Sequence, residues 1–294
     1  PQLRKGDTIG LAAPAGPIKE DILRQGLQLL RDNRIKVKFA DDICRKENYL
    51  AGSDQRRLEE FHRLWDDDEV KAIVAVRGGY GCARLLTKLD FELIRRKPKI
   101  LIGFSDLTIL LNAIQHQTGL ITFHGPMLST LARDGNPAMI SMLNELTVHA
   151  QEHLKIKGLE VLRPGEVQGH LIGGNLACLA QLVATPYEPM WAGAILLLED
   201  INESAYQIDR ILTQLSLAGR LDSLAGIILG DFLDSDMHSI SDLDLIWQRT
   251  LELTGEHIPV WANFPAGHGS RNILLPIGST VSMDSSRCVL SLLK

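Results

Sequence analysis

KILIGFSDLTILLN, Lys99 to Asn112, changes period in its middle. Ile100, Leu101 and Ile102 form an apolar run short enough for a buried strand, and Leu107, Ile109, Leu110, Leu111 and Ile114 continue at helical spacing. Ser105 falls at the change. A serine on a tight strand-to-helix turn lifts its hydroxyl above the sheet edge, beside the positive end of a helix and its free backbone N–H groups. That setting suits a nucleophile with an oxyanion hole, and it equally suits a serine that only caps the helix.

Working outward, the same alternation recurs. Asp7 to Ala13 reads as a strand closed by Pro14, Gly16 and Pro17, followed by a helical pattern from Ile18 to Asp32 and a second strand from Ile35 to Ala40. Ser53 can cap a helix through Trp65, and KAIVAV (Lys71 to Val76) is a buried-looking strand that runs into Arg77-Gly78-Gly79-Tyr80-Gly81. A helix from about Cys82 to Leu89 follows, and a strand from Leu120 to His124 comes after the central stretch. Strands alternating with helices predict an α/β fold with a mainly parallel sheet covered on both faces.

Between Ala150 and Gly169 the pattern gives way to charged, Gly- and Pro-containing sequence, which reads as a crossing between domains. The expected division is an N-terminal domain over residues 1–150, a linker over 151–169 and a smaller α/β domain over 170–294. The second part shows a glycine-bounded helix from Gly173 to Ala184, a strand from Ala194 to Leu198, a helix from Ala205 to Leu217, a strand from Gly226 to Gly230 and a helix near Asp242 to Thr254.

With 294 residues, 45% of them hydrophobic, the chain can bury a substantial core in one large domain or two ordinary ones. A net charge of -5 with Lys and Arg spread out argues against nucleic acid as a partner. No run reaches the roughly 20 apolar residues of a membrane span, and the first residues lack the apolar core of a signal peptide, so a cytoplasmic location is expected. The sequence begins at Pro1 without a methionine. Cys44, Cys82, Cys178 and Cys288 show no CxxC pair and no zinc-finger histidine spacing, which predicts free thiols.

Several residues could carry chemistry. The glycines after Arg77 let backbone N–H groups approach a ligand, as half of an oxyanion hole or as a plain structural turn; neither GxxxxGK[ST] nor GxGxxG is present there. Glu199 stands where an apolar strand ends, a position that often faces the ligand crevice of α/β folds, with Asp200 and Glu203 as rivals that could instead cap the following helix. His268 lies between glycines in a loop and can present its ring to a cleft or to solvent. Ser105, Glu199 and His268 follow the order nucleophile, acid, base. Asp231, Asp234, Asp236 and His238 are the only cluster with a metal-like look, but they match neither a calcium loop nor HExxH and read as a solvated turn.

Taken together, Gly10-Leu11-Ala12-Ala13-Pro14, Arg77-Gly78-Gly79-Tyr80-Gly81, Gly103-Phe104-Ser105-Asp106, Phe123-His124-Gly125-Pro126, Gly173-Gly174-Asn175, Leu198-Glu199-Asp200, Ile208-Asp209-Arg210 and Gly267-His268-Gly269 resemble the LD-carboxypeptidase family of serine peptidases. That family includes muramoyltetrapeptide carboxypeptidases and the microcin C self-immunity proteins. The resemblance implies a flavodoxin-like N-terminal domain joined to a smaller C-terminal α/β domain, a homodimer, and metal- and cofactor-independent chemistry. It implies Ser105 as nucleophile, His268 as base, Glu199 as its orienting carboxylate, and the backbone N–H groups of Gly79 and Asp106 as the oxyanion hole. The expected reaction is removal of terminal D-alanine from cytoplasmic murein tetrapeptides in peptidoglycan recycling. Two alternatives carry over. A microcin-immunity type hydrolase would cleave aminoacyl nucleotides, although no long aromatic-bearing insert for base stacking is evident. A non-enzymatic two-lobed binding protein would use the same cleft without a nucleophile. An α/β-hydrolase esterase is disfavoured because Gly103-Phe104-Ser105-Asp106-Leu107 lacks the second glycine of GxSxG.

Overall fold

The computed structural model describes residues 3, 6–147, 153–233 and 240–293. It divides into two compact units, residues 1–150 with Ile273–Pro276, and residues 151–272 with Ile277–Lys294.

The first unit contains β1 (Thr8–Ala12), α1 (Glu20–Asp32), β2 (Lys36–Lys38), α2 (Asp54–Asp66), β3 (Val70–Ala75), α3 (Phe91–Arg96), β4 (Ile100–Gly103), α4 (Thr108–Thr118), β5 (Thr122–His124), α5 (Leu128–Asp134) and α6 (Asn136–Thr147). Strands β1 to β5 pair in the order 2-1-3-4-5, every pair parallel, which is the flavodoxin order anticipated above. β3 and β4 are buried almost throughout, as a parallel sheet covered on both faces requires. Helix α1 buries Leu23, Gly26 and Leu30 on one stripe. A methyl group on Gly26 would stand 2.6 Å from Leu128, so the missing side chain lets α5 close on α1. Ser53 caps α2 by accepting from the Arg56 N–H, and Gly119 ends α4 in the left-handed region, each where such a residue is favoured. The residues from Cys82 to Lys88 form a 3-10 helix.

The second unit contains β6 (His153–Lys155), β7 (Glu160–Arg163), β8 (Glu166–Asn175), α7 (Leu176–Ala180), β9 (Ile195–Ile201), α8 (Ala205–Leu217), β10 (Gly226–Leu233), α9 (Ile240–Leu253) and β11 (Val260–Ala262); β12 (Leu275–Ile277) belongs to the first sheet, beside β5, and β13 (Thr280–Asp284) and β14 (Val289–Leu292) follow. Its eight-stranded sheet runs in the order 6-14-13-8-9-10-11-7. β8, β9, β10 and β11 pair in parallel, while β7, β13, β14 and β6 join antiparallel. Residues 153–169, expected as a linker, form β6, β7 and the first part of β8.

The helix expected from Gly173 is a correction. Gly173 and Gly174 finish β8 with φ of +112° and +130°, and the short helix α7 starts only at Leu176, with Asn175 as its N-cap. A Cβ on Gly173 would meet the Leu197 carbonyl oxygen at 2.0 Å, so this glycine serves close strand packing. All four cysteines are free thiols. No described helix is long and apolar enough to cross a membrane.

Candidate active site

In the first unit the site is built at the carboxyl ends of β1, β3 and β4. This is where the strand order reverses and where open α/β sheets place ligands. β4 leads through Phe104, still extended, into Ser105 at φ +60°, and the chain then turns through a 3-10 segment, Ser105–Leu107, into α4. A left-handed backbone is costly for a residue with a Cβ, and in a sharp strand-to-helix turn it raises the hydroxyl. The capping reading of Ser105 fails: a capping residue is extended, the residue before this turn is Phe104, and no side-chain capping bond forms. Gly78 packs against the serine, and the Gly16 N–H donates to the Gly78 carbonyl at 3.1 Å. Gly79, at φ +121°, has an N–H that finds no hydrogen-bond acceptor among the described residues.

The glycine turn is held from behind by groups the sequence reading passed over. The buried Asp106 carboxylate accepts from the Cys82 N–H at 2.8 Å, and burial pushes its carboxyl above the usual range against the pull of that bond. The fully buried Arg57 guanidinium, from α2, donates to the Pro14 carbonyl and, at 3.0 Å, to the Gly81 carbonyl. One turn further along α2, Glu60 accepts from the Ala13 N–H at 2.9 Å. These two side chains lock together the loops that leave β1 and β3. Arg57 and Glu60 share a helical stripe with the core residues Phe61 and Leu64, which is the signal that could have exposed them.

In the second unit β8 and β9 set Asn175 directly beside Glu199. Glu199 and Asp200, adjacent on β9, point to opposite faces and separate into different tasks. Asp200 accepts from the Asn175 side chain and the Ala177 N–H, both at 2.9 Å, and so ties down the start of α7. The fully buried Glu199 lies with Oε2 2.7 Å from Nδ1 of His268. Its carboxyl is pushed up by burial, an effect the His268 bond works against and nearby Asp231 reinforces. Ser204, next to Glu203, begins α8, and its N–H donates to Gln207 at 2.9 Å.

The loop carrying His268 is fixed on both sides. The Gly267 N–H donates to Asn272 at 3.1 Å, and the Gly269 N–H donates to Asp231 at 2.9 Å. Gly267 has φ +125°, and a Cβ there would stand 2.8 Å from Glu199 Oε2, so only glycine lets the loop approach the carboxylate. Asp231, weighed from the sequence as part of a metal-like cluster, serves the histidine loop instead, and burial raises its carboxyl. Asp234, Asp236 and His238 lie outside the described residues.

With an ionised Glu199 accepting from Nδ1–H, the His268 ring is held in the tautomer whose Nε2 carries a lone pair. A histidine so oriented can accept a proton at Nε2, and a serine on a strained turn beside glycine N–H groups has the setting a nucleophile needs. Each unit by itself thus carries groups of the kind a serine hydrolase uses, on a two-domain α/β fold.

The chain matches the family models of the LD-carboxypeptidase N-terminal domain over residues 9–125 and the LD-carboxypeptidase C-terminal domain over residues 168–283. It is 38% identical to the probable murein peptide carboxypeptidase of Bacillus subtilis, covering 97% of this chain and 91% of that one. It is 32% identical to the murein tetrapeptide carboxypeptidase of Pseudomonas aeruginosa, covering 95% and 94%. The structure of the wild-type microcin C7 self-immunity protein MccF in its apo state superposes with a TM-score of 0.91 at 26% identity, covering 100% of this chain and 97% of that one. The chain belongs to the LD-carboxypeptidase family and is a serine carboxypeptidase.

Proposed function

We propose that this enzyme hydrolyses the amide between an L-centre and the terminal D-alanine of murein tetrapeptides, with Ser105 as nucleophile, His268 as general base and Glu199 as the carboxylate that orients it. The observation that carries the reading is the 2.7 Å pairing of buried Glu199 with His268 Nδ1, which leaves Nε2 as the acceptor a serine proton needs. In the first step Nε2 takes the Ser105 proton as Oγ attacks the scissile carbonyl. The N–H groups of Gly79 and Asp106 receive the developing oxyanion, each donor being worth about 10²–10³ in rate. The imidazolium then protonates the departing amine of D-alanine. Water, deprotonated by the same ring, releases the shortened peptide from Ser105. The buried Glu199 carboxylate stabilises the imidazolium through each transfer.

The names of the Bacillus subtilis and Pseudomonas aeruginosa relatives support murein peptides as substrates. A cytoplasmic role in murein peptide recycling, a homodimer and independence of metal or cofactor complete the proposal, as the family resemblance implies. The close superposition on MccF supports a second reading, hydrolysis of an aminoacyl nucleotide by the same residues.

The test is D-alanine release from a murein tetrapeptide by the intact enzyme and by Ser105→Ala, with a metal chelator present. Release that survives chelation and is lost in the variant is expected. Release by neither protein moves the substrate to aminoacyl nucleotides or leaves a binding role, and equal release by both removes Ser105 as nucleophile.

A further inference from the structure

An open pocket of about 630 Å³ lies in the first unit, directly beside the glycine turn, and Lys46, Tyr49, Arg77, Gly79 and Tyr80 are among its walls. Its volume is that of a small-ligand site. One wall is the tip of a tight hairpin in which Glu47 and Leu50 exchange backbone hydrogen bonds at 2.9 and 3.0 Å, presenting Asn48 and Tyr49 at the turn. The Ala51 N–H, bonded to the Ala15 carbonyl at 2.9 Å, fastens that hairpin to the loop after β1. The exposed rings of Tyr49 and Tyr80 meet edge to face with centroids 5.7 Å apart.

Two cations face this space with no carboxylate partner among the described residues. Arg56, Arg57 and Arg84, close by in sequence or fold, each have one. Arg77 is steadied by a single bond from Nη1 to the Pro17 carbonyl at 3.2 Å, which orients the guanidinium and leaves most of its donors unused. Lys46 makes no recorded ion pair.

We infer that Arg77, assisted by Lys46, binds the free terminal carboxylate of the residue to be released, and so makes the enzyme an exopeptidase. This rests on the function proposed above. The argument is one of spacing and charge. The terminal carboxylate lies one residue from the scissile carbonyl, a separation of about 3.8 Å between α-carbons. Arg77 stands two residues before Gly79, whose N–H is assigned to the oxyanion. A guanidinium gives a carboxylate two parallel hydrogen bonds, which a lysine cannot. A chain that continued past the cleaved bond would bring a neutral amide to this fork and leave the cation without its partner. The tyrosine rings give the pocket an aromatic wall beside that fork.

The experiment compares a murein tetrapeptide with the same peptide carrying a C-terminal carboxamide, reading kcat/KM for both in the intact enzyme, Arg77→Gln, Arg77→Lys and Lys46→Gln. The intact enzyme should prefer the free acid by roughly tenfold to a hundredfold, the usual worth of hydrogen bonds to a charged group. Arg77→Gln should abolish that preference, Arg77→Lys should recover part of it, and Lys46→Gln should reduce it less. Equal loss on both substrates in Arg77→Gln, or no acid preference in the intact enzyme, overturns the inference while the proposed activity stands. Release of D-alanine from neither substrate by the intact enzyme overturns the activity itself, and the inference falls with it.

Discussion

Gly78 packs so tightly on Ser105 that a methyl group built on the glycine would stand 2.8 Å from both Cβ and Oγ of the serine. Gly78 does not adopt a left-handed backbone, so the demand there is for space alone. Gly78→Ala should fold and yet displace the hydroxyl. A displacement approaching 1 Å typically costs about 10² in rate, so kcat/KM for D-alanine release should fall by about that factor. Unchanged kinetics would show that the serine yields to the methyl at no cost.

Ser105 holds φ at +60°, a conformation that glycine adopts freely and alanine does not. Ser105→Ala and Ser105→Gly should both be inactive, but the glycine variant should be more stable to urea by about 1 kcal/mol. Equal stability would mean that the turn stores no strain at this residue.

Glu199 supplies a prediction in pH. Burial raises its carboxyl in the folded chain, so between the ordinary carboxylate range and that raised value the folded state holds a proton that the unfolded state has already lost. The stability that this proton supplies is complete below the ordinary carboxylate range and disappears as pH rises through the raised value. Glu199→Gln cannot ionise, so its stability should change less as pH rises from the ordinary carboxylate range, with the largest gain over the unaltered enzyme once Glu199 is ionised. Activity should meanwhile drop by about 10³–10⁴, as it does when a triad acid loses its charge. A variant with the parent's pH dependence of unfolding would assign that dependence to other buried carboxyls, of which Asp106, Asp200 and Asp231 are also raised.

Arg57 is fully buried and donates to the carbonyls of Pro14 and Gly81. Arg57→Met keeps much of the volume and leaves both carbonyls without this donor, at a cost of about 2–4 kcal/mol in urea unfolding. Because those carbonyls belong to the loops that frame Ser105, kcat should fall as well. A variant that lost stability but kept kcat would confine Arg57 to structural support.

Much of the sheet framework is legible in the sequence because parallel, doubly covered strands announce themselves. β3, β4 and β9 are near-continuous apolar runs, and α8 begins and ends where its periodicity says. The change of period at Ser105 and the isolation of His268 between glycines also marked both as candidates, and the structure places one on a left-handed turn and the other against Glu199. Elsewhere the signals were weaker for physical reasons. β6 and β7 are short and half-exposed, with Glu, His, Lys and Arg on them, so a charged stretch concealed strands. Gly173 and Gly174 suggested a helix boundary, whereas both lie within β8, where Gly173 packs tightly on Leu197. Choosing among Glu199, Asp200 and Glu203 needed to know which face of β9 meets the histidine loop, and pairing between strands decides that. Arg57 escaped notice because a charged residue on a helix defaults to the surface.

The strand β12 gives the first unit a debt to the far end of the chain. Leu274 rests on Gly125, where even a methyl group would come within 2.5 Å of it, and Ile273–Pro276 is counted with residues 1–150. During synthesis the first unit therefore cannot complete its sheet when its own contiguous stretch has emerged. The edge of β5, with its unpaired N–H and C=O groups, stays open until Leu275–Ile277 has been made, a period in which it is exposed to wrong pairing. Fragments cut at residue 150 should inherit the same bare edge permanently.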